Sequence, residues 1–177
     1  MVSDISSKTI KLSLAKLSDS DFIFSLRINE KLNKYISSFS GRVEDQYKWL
    51  EDYKARERNE REFYYVIRRN DSDLPIGTVR LYDFIEDSNS FCWGSWVINE
   101  NKTSSSAIES ALLVYKIGFE HLGFSGSHFF VDKKNTSVVD FHKKSGAIFL
   151  GEDDINFFFN YTPDLYNSLK EKYKKFL

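Results

Sequence analysis

The chain has 177 residues, 41% of them hydrophobic and 29% charged, which suits one domain with a proper core and no need of disulfides or structural metals. A formal net charge of -1 and a pI near 6.3 exclude a global field that would draw it to nucleic acid or a membrane surface. Cys92 is the lone cysteine, which excludes an internal disulfide and a metal site of the CxxC kind, so no metal is expected. The first residues show no basic stretch followed by an apolar one, and no apolar run is long enough to span a bilayer. The expectation is a cytoplasmic protein.

Aromatic residues reach 16% and fall in short runs such as Phe63-Tyr64-Tyr65 and Phe157-Phe158-Phe159, which favours strands around an aromatic core. In chain order, Leu12 and Leu14 alternate in a strand over 11–16. Ser18-Asp19 offers a helix N-cap, and Phe22, Ile23, Leu26 and Ile28 carry a helix to about Leu32. Residues 37–41 read as a loop. A second helix over 43–58 sets Tyr47, Leu50 and Lys54 on one face. Strands over 62–69, 76–85 and 91–98, separated by turns at 70–73 and 87–89, form a meander of hairpins. Residues 99–106 are polar and loop-like. A long helix over 107–122 turns Ala111, Leu112, Tyr115 and Phe119 inward and stops at Gly123. A short strand over 128–132, a helix over 136–144 ended by Gly146, strands over 148–150 and 155–161, and a last helix from Pro163 complete the chain. The basic tail, 170–175, reads as a solvated helix end. This order predicts a single mixed α/β domain over 1–177 with a largely antiparallel sheet. One parallel βαβ crossover would run from Val97 through the long helix to Val131.

The junction Trp96-Val97-Ile98-Asn99-Glu100-Asn101-Lys102-Thr103-Ser104-Ser105-Ser106-Ala107 is the most informative stretch. A helix N-terminus presents unpaired N–H groups and a positive dipole end, and small residues let a phosphate come close to that backbone. Lys102 adds a charge, and the Ser/Thr hydroxyls add donors. The plain structural alternative is a capping box of Ser106 with Glu109.

Order and spacing here resemble the GNAT acyltransferase superfamily. Its cofactor loop, Arg/Gln-x-x-Gly-x-Gly/Ala between a strand and a long helix, falls on Lys102-x-x-Ser105-x-Ala107, with Lys and Ser as departures. Downstream, Asn135 followed by Phe141-His142-x-Lys144-x-Gly146 is similar to the family's Asn and Tyr-x-Lys-x-Gly-Phe, with Ala147 where Phe is usual. The resemblance runs from about Lys8 to Tyr161. It implies the GNAT fold, with helices flanking the sheet, and acetyl-CoA as acyl donor, the pantetheine arm entering between splayed strands at 93–98 and 128–133. Gly94 would permit a bulge there. Cofactor contacts would come from Val97, Ile98, Lys102, Thr103, Ser104, Ser105, Ser106, Ala107, Asn135 and Phe141. His142 stands at the family's acidic tyrosine, where an imidazolium would protonate the leaving thiolate; the plain alternative is a histidine packed on a helix. Asp83, Glu86 and Asp132 are carboxylates among which no base stands out.

On the acceptor side, Arg27-x-Asn29-x-x-x-x-Lys34-Tyr35, then Gln46-x-x-Trp49-Leu50, is similar to family members that acetylate nucleotide-linked amino sugars in pseudaminic acid and surface-polysaccharide pathways. That likeness implies N-acetylation of such a sugar, with Arg27, Asn29, Lys34, Tyr35, Arg80, Tyr82 and Trp93 lining the acceptor site. A protein N-terminal acetyltransferase of the ribosomal-protein-modifying kind, and a non-catalytic module that kept the fold, are the alternatives. Monomer and homodimer are both open.

Overall fold

The computed structural model describes residues 4–35 and 41–177; of the loop expected over 37–41, all but Gly41 lies outside them. Eight strands form one sheet in the order β1-β2-β3-β4-β5-β6-β8-β7. They are β1 (Ile5–Ser6), β2 (Ile10–Leu14), β3 (Phe63–Arg69), β4 (Pro75–Ile85), β5 (Ser90–Ile98), β6 (Gly126–Asp132), β7 (Ile148–Glu152) and β8 (Asn156–Tyr161). The helices are α1 (Ser20–Ile28), α2 (Val43–Arg58), α3 (Ser106–Tyr115), α4 (Thr136–Ser145) and α5 (Pro163–Lys172). All pairings are antiparallel except β5 with β6, joined through α3 as the crossover expected from the sequence. No described helix is long and apolar enough to cross a membrane.

Both faces of the sheet are covered, and β3 shows why its sequence is apolar throughout. Tyr65 and Ile67 join the larger core under α3, α4 and α5. Tyr64 and Val66, on the opposite face, join Ile23, Leu50 and Tyr53 under α1 and α2. A strand buried on both faces needs no polar alternation.

Helix ends follow local chemistry. Thr162 caps α5 by accepting a hydrogen bond from the Leu165 amide, with Pro163 in the first turn. Gly146 closes α4 at φ +93, a conformation that a β-carbon disfavours. Two elements depart from the sequence expectation. Helix α1 stops at Ile28, short of Leu32, because Asn29 turns extended and its Oδ1 accepts from the Lys31 amide at 3.0 Å, a side-chain turn that competes with the helix. The long helix is α-helical only to Tyr115 and continues as a π-helical turn, Lys116–His121. In that turn Gly118 lies so close to Phe91 that a β-carbon would stand 2.2 Å from the ring.

The feature that builds the site is the parting of β5 from β6. Only Ser90–Gly126 and Phe91–Ser127 pair; beyond them β6 pairs with β8 alone. On its other side β5 stays on β4, but with a bulge: Thr78 faces Val97 and Arg80 faces Gly94, so Ser95 and Trp96 together oppose Val79. Ser95 takes φ +49, and its carbonyl accepts from Thr78 Oγ1 at 3.0 Å. Trp96 Nε1 donates to Ser110 Oγ at 3.0 Å, tying the bulge to α3. The expected bulge thus sits immediately after Gly94.

Candidate active site

The wedge between β5 and β6 opens into a cavity of ≈ 370 Å³. Tyr35, Arg80, Tyr82, Trp93, Asn135 and His142, all singled out from the sequence, line it together. Gly94, Ser95, Trp96, Phe129, Phe130, Val131, Asp132, Val138 and Asn156 complete the wall and were not singled out as ligand contacts. Phe130 and Asp132 lie two residues apart on β6, so strand alternation was the signal that could have found them. A smaller cavity of ≈ 110 Å³ adjoins the first at Arg80 and Ser95 and holds Arg27, Trp49, Tyr64, Thr78 and Val97.

The other expected residues fall elsewhere. Asn29 and Lys34 are exposed and line neither cavity; the Lys34 ammonium lies 5.2 Å from the centre of the Tyr35 ring. Phe141 packs on Trp96 with ring centroids 5.0 Å apart. Val97 and Ile98 pair with Thr78 and Gly77 of β4 and have no strand partner toward β6. Lys102–Ala107 stand where β5 runs into α3, outside both cavities.

In that loop the hydroxyls of Thr103, Ser105 and Ser106 turn inward, while Ser104 is exposed. Thr103 Oγ1 meets Thr9 Oγ1 at 2.7 Å and Ser106 Oγ at 2.8 Å. Ser105 Oγ donates to Glu109 at 2.5 Å. The capping box of Ser106 with Glu109 does not form. Ser105 occupies the N-cap position, and the buried Glu109 carboxylate instead accepts from Ser7 Oγ, Thr9 Oγ1 and the Thr9 amide. Burial alone would raise the Glu109 pKa; the hydrogen bonds from Ser105, Ser7 and Thr9 outweigh it and hold the acid below its ordinary value. No residue from Lys102 to Ala107 takes a positive φ, so the serine in place of glycine is accommodated without backbone strain. What the loop offers a phosphate is the first turn of α3 and the exposed Lys102. The backbone of β5 beyond Phe91, unpaired toward β6, fits a pantetheine arm lying along it.

His142 is the buried polar group at the inner wall, 3% exposed. Its ring centroid lies 4.3 Å from that of Phe129, 5.3 Å from Trp93 and 5.5 Å from Phe141. Nδ1 is buried without a hydrogen-bond partner. Burial in this aromatic cage lowers the pKa from 6.5 to about 3, so the ring is neutral at physiological pH. Desolvation, with no ion pair to the ring among the described residues, disfavours the imidazolium that the sequence suggested. Of the carboxylates Asp83, Glu86 and Asp132, Asp132 lines the cavity. Asp83 lies 3.1 Å from His128 Nε2.

The family model for the acetyltransferase (GNAT) domain matches residues 10–148. Among solved structures, FdhC, described as a nucleotide-linked sugar GNAT, aligns at a TM-score of 0.93 with 48% identity, covering 99% of each chain. A spermidine N-acetyltransferase from Vibrio cholerae aligns at 0.76 with 16% identity, over 89% of this chain and 98% of its own. A GCN5-related N-acetyltransferase from Brucella melitensis aligns at 0.79 with 13% identity, over 97% and 84%. The two distant likenesses speak for the fold alone. A search of curated proteins gives no match. With the family model spanning most of the chain, the protein belongs to the GNAT acetyltransferases and is an N-acetyltransferase.

Proposed function

We propose that the protein transfers the acetyl group of acetyl-CoA to the amine of a nucleotide-linked amino sugar. The observation that carries this is the 48% identity, over 99% of both chains, to a nucleotide-linked sugar GNAT. The cavity supports it: Tyr35, Tyr82 and Trp93 offer aromatic faces, Asn156 an amide group, and Arg80 a cation, a set suited to a sugar carrying phosphate.

Acetyl-CoA supplies a thioester carbonyl, at which the amine forms a C–N bond as the C–S bond breaks. The first turn of α3, with Lys102 and the backbone of Ser104 to Ala107, holds the pyrophosphate, and Val97 and Ile98 present their backbone to the pantetheine. Asn135 and Phe141 flank that arm. Tyr35, Arg80, Tyr82 and Trp93 orient the acceptor, with Arg27 reaching it from the smaller cavity and Asn29 and Lys34 at the outer rim. Asp132 takes the amine proton, directly or through water. His142, being neutral, serves as a hydrogen-bond donor to the leaving sulfur rather than as a full proton donor.

The test is thiol release from acetyl-CoA with a panel of nucleotide-linked amino sugars beside peptides that mimic ribosomal-protein N-termini. Turnover of an amino sugar and none of the peptides is expected. Turnover of peptides alone overturns the acceptor class, and failure to bind acetyl-CoA returns the chain to a non-catalytic module.

A further inference from the structure

The outer end of the sheet carries an uncovered apolar ledge. Strand alternation puts His128, Phe130 and Asp132 of β6 on one face, beside Asn160, Phe158 and Asn156 of β8 and Ile148 of β7. Phe130 and Phe158 are Cα partners, with ring centroids 6.4 Å apart. Gly151 faces Phe158 from the other side, and Leu150 is the extra residue of the bulge there. Phe130, Ile148, Leu150 and Phe158 are 37–63% exposed. One such residue alone means little, but four on neighbouring rungs form a patch. Taking roughly 200 Å² for a fully exposed large side chain, they present on the order of 400 Å². Phe149 and Ile155 on the rim, each more than half exposed, raise this to about 600 Å². One partner's share of a standard interface is about 800 Å², of which about 500 Å² is apolar. The ledge has the size of a subunit contact and exceeds what one ring of a small ligand could cover.

We infer that a second copy of the chain seats on this ledge, face to face, in a two-fold dimer. The charges at the two ends of β7 are self-complementary. Lys143 and Lys144 come shortly before the strand and Asp153 and Asp154 directly after it, all exposed. Lys144 and Asp154 form no ion pair among the described residues. A two-fold axis between the ledges, across the middle of β7, runs the two strands antiparallel. Each lysine end then lies over the other copy's acidic end. Pairing along the open edge of β7 is disfavoured, because the bulge at Leu150 and Gly151 breaks the regular row of backbone groups that an added strand needs. The contact is therefore made by the side chains of the ledge. Phe130 also belongs to the wall of the main cavity, so the second copy sits at the rim of that cavity. The contact holds whichever acceptor the cavity takes.

The experiment is light scattering on a sizing column, with sedimentation equilibrium for the dimer Kd. It compares wild type, Leu150→Glu, Lys144→Glu, and Lys144→Glu combined with Asp154→Lys. Leu74→Glu, at an exposed apolar residue off the ledge, is the control. At about 10 µM protein the wild type and the control should run at twice the chain mass of 20.8 kDa, and Leu150→Glu at the chain mass. Lys144→Glu should raise the dimer Kd roughly two- to five-fold, and adding Asp154→Lys should restore it. Being an exposed charge reversal, Lys144→Glu keeps the test open should Leu150→Glu not fold. A wild type of single-chain mass overturns the dimer, and a Leu150→Glu protein that keeps the double mass overturns the ledge as its seat. A dimer Kd unmoved by Lys144→Glu overturns the antiparallel seating. A single-chain wild type whose affinity for uridine diphosphate, by calorimetry, falls in Leu150→Glu overturns the dimer in favour of a nucleotide on the ledge.

Discussion

The His142 ring lies tilted against Phe129, their centroids 4.3 Å apart, in a cage that also includes both tryptophans of β5. The cage makes the histidine a sensor of unfolding. Its folded pKa of about 3 lies below the unfolded 6.5, so the unfolded chain binds the extra proton between those values. Stability from this group is fully present above about pH 6.5 and is lost as pH falls toward 3. Between pH 7 and pH 5 the wild type should lose about 2 kcal/mol more than His142→Phe, read by urea unfolding at each pH. Equal slopes would mean the ring reaches water. The same variant should turn over roughly 10- to 100-fold more slowly with an unaltered acetyl-CoA Kd; an unaltered rate would reduce His142 to packing.

Asp132 is the carboxylate assigned to the amine proton. Asp132→Asn keeps the shape and removes the basicity. Its kcat should fall roughly 100-fold, with acceptor KM changed far less. A rate within about two-fold of wild type would assign the proton to water or another group.

Gly77 faces Ile98 across the β4–β5 ladder, and an added β-carbon would lie 2.2 Å from the Val97 carbonyl oxygen, a backbone atom with no flexible end to yield. Gly77→Ala should therefore destabilise the protein by roughly 1–3 kcal/mol and weaken acetyl-CoA through displacement of Val97 and Ile98. Gly126→Ala, whose nearest neighbours stand at 3.7 Å, is the control and should be close to neutral. Indistinguishable melting temperatures for the two variants would refute the close approach.

Glu109 gathers hydroxyls from the N-terminal segment and from the start of α3. Glu109→Leu strands those donors, and the loss should be roughly 2–3 kcal/mol by denaturant unfolding. Lys102→Ala, at an exposed position, should only weaken acetyl-CoA roughly two- to five-fold, less at high salt. If Glu109→Leu unfolds at the wild-type midpoint, water replaces the carboxylate.

Strand alternation, turn residues and glycine stops placed nearly every element because each is a local signal. The meander at Phe63–Ile98 and the stops at Gly123 and Gly146 follow from neighbours within a few residues. What escaped was non-local. The two-residue strand β1 is too short to alternate. The π-turn depends on Phe91 meeting Gly118 from another element. The charge state of His142 is set by rings from β5, β6, α4 and β8, which no spacing in the chain reveals. The six expected residues that meet at the main cavity were chosen largely by family likeness; the buried Arg80 Nε without an acceptor shows itself only when the chain is packed.

The wedge between β5 and β6 stands open in the folded chain, held by two rungs at its narrow end. A strand-like ligand entering it breaks no ladder, so its arrival is an addition and not an exchange. Association then has no unzipping step to wait for, and its rate is set by diffusion and orientation alone. Departure of such a ligand surrenders the backbone hydrogen bonds it made along β5, so that edge contributes to residence time.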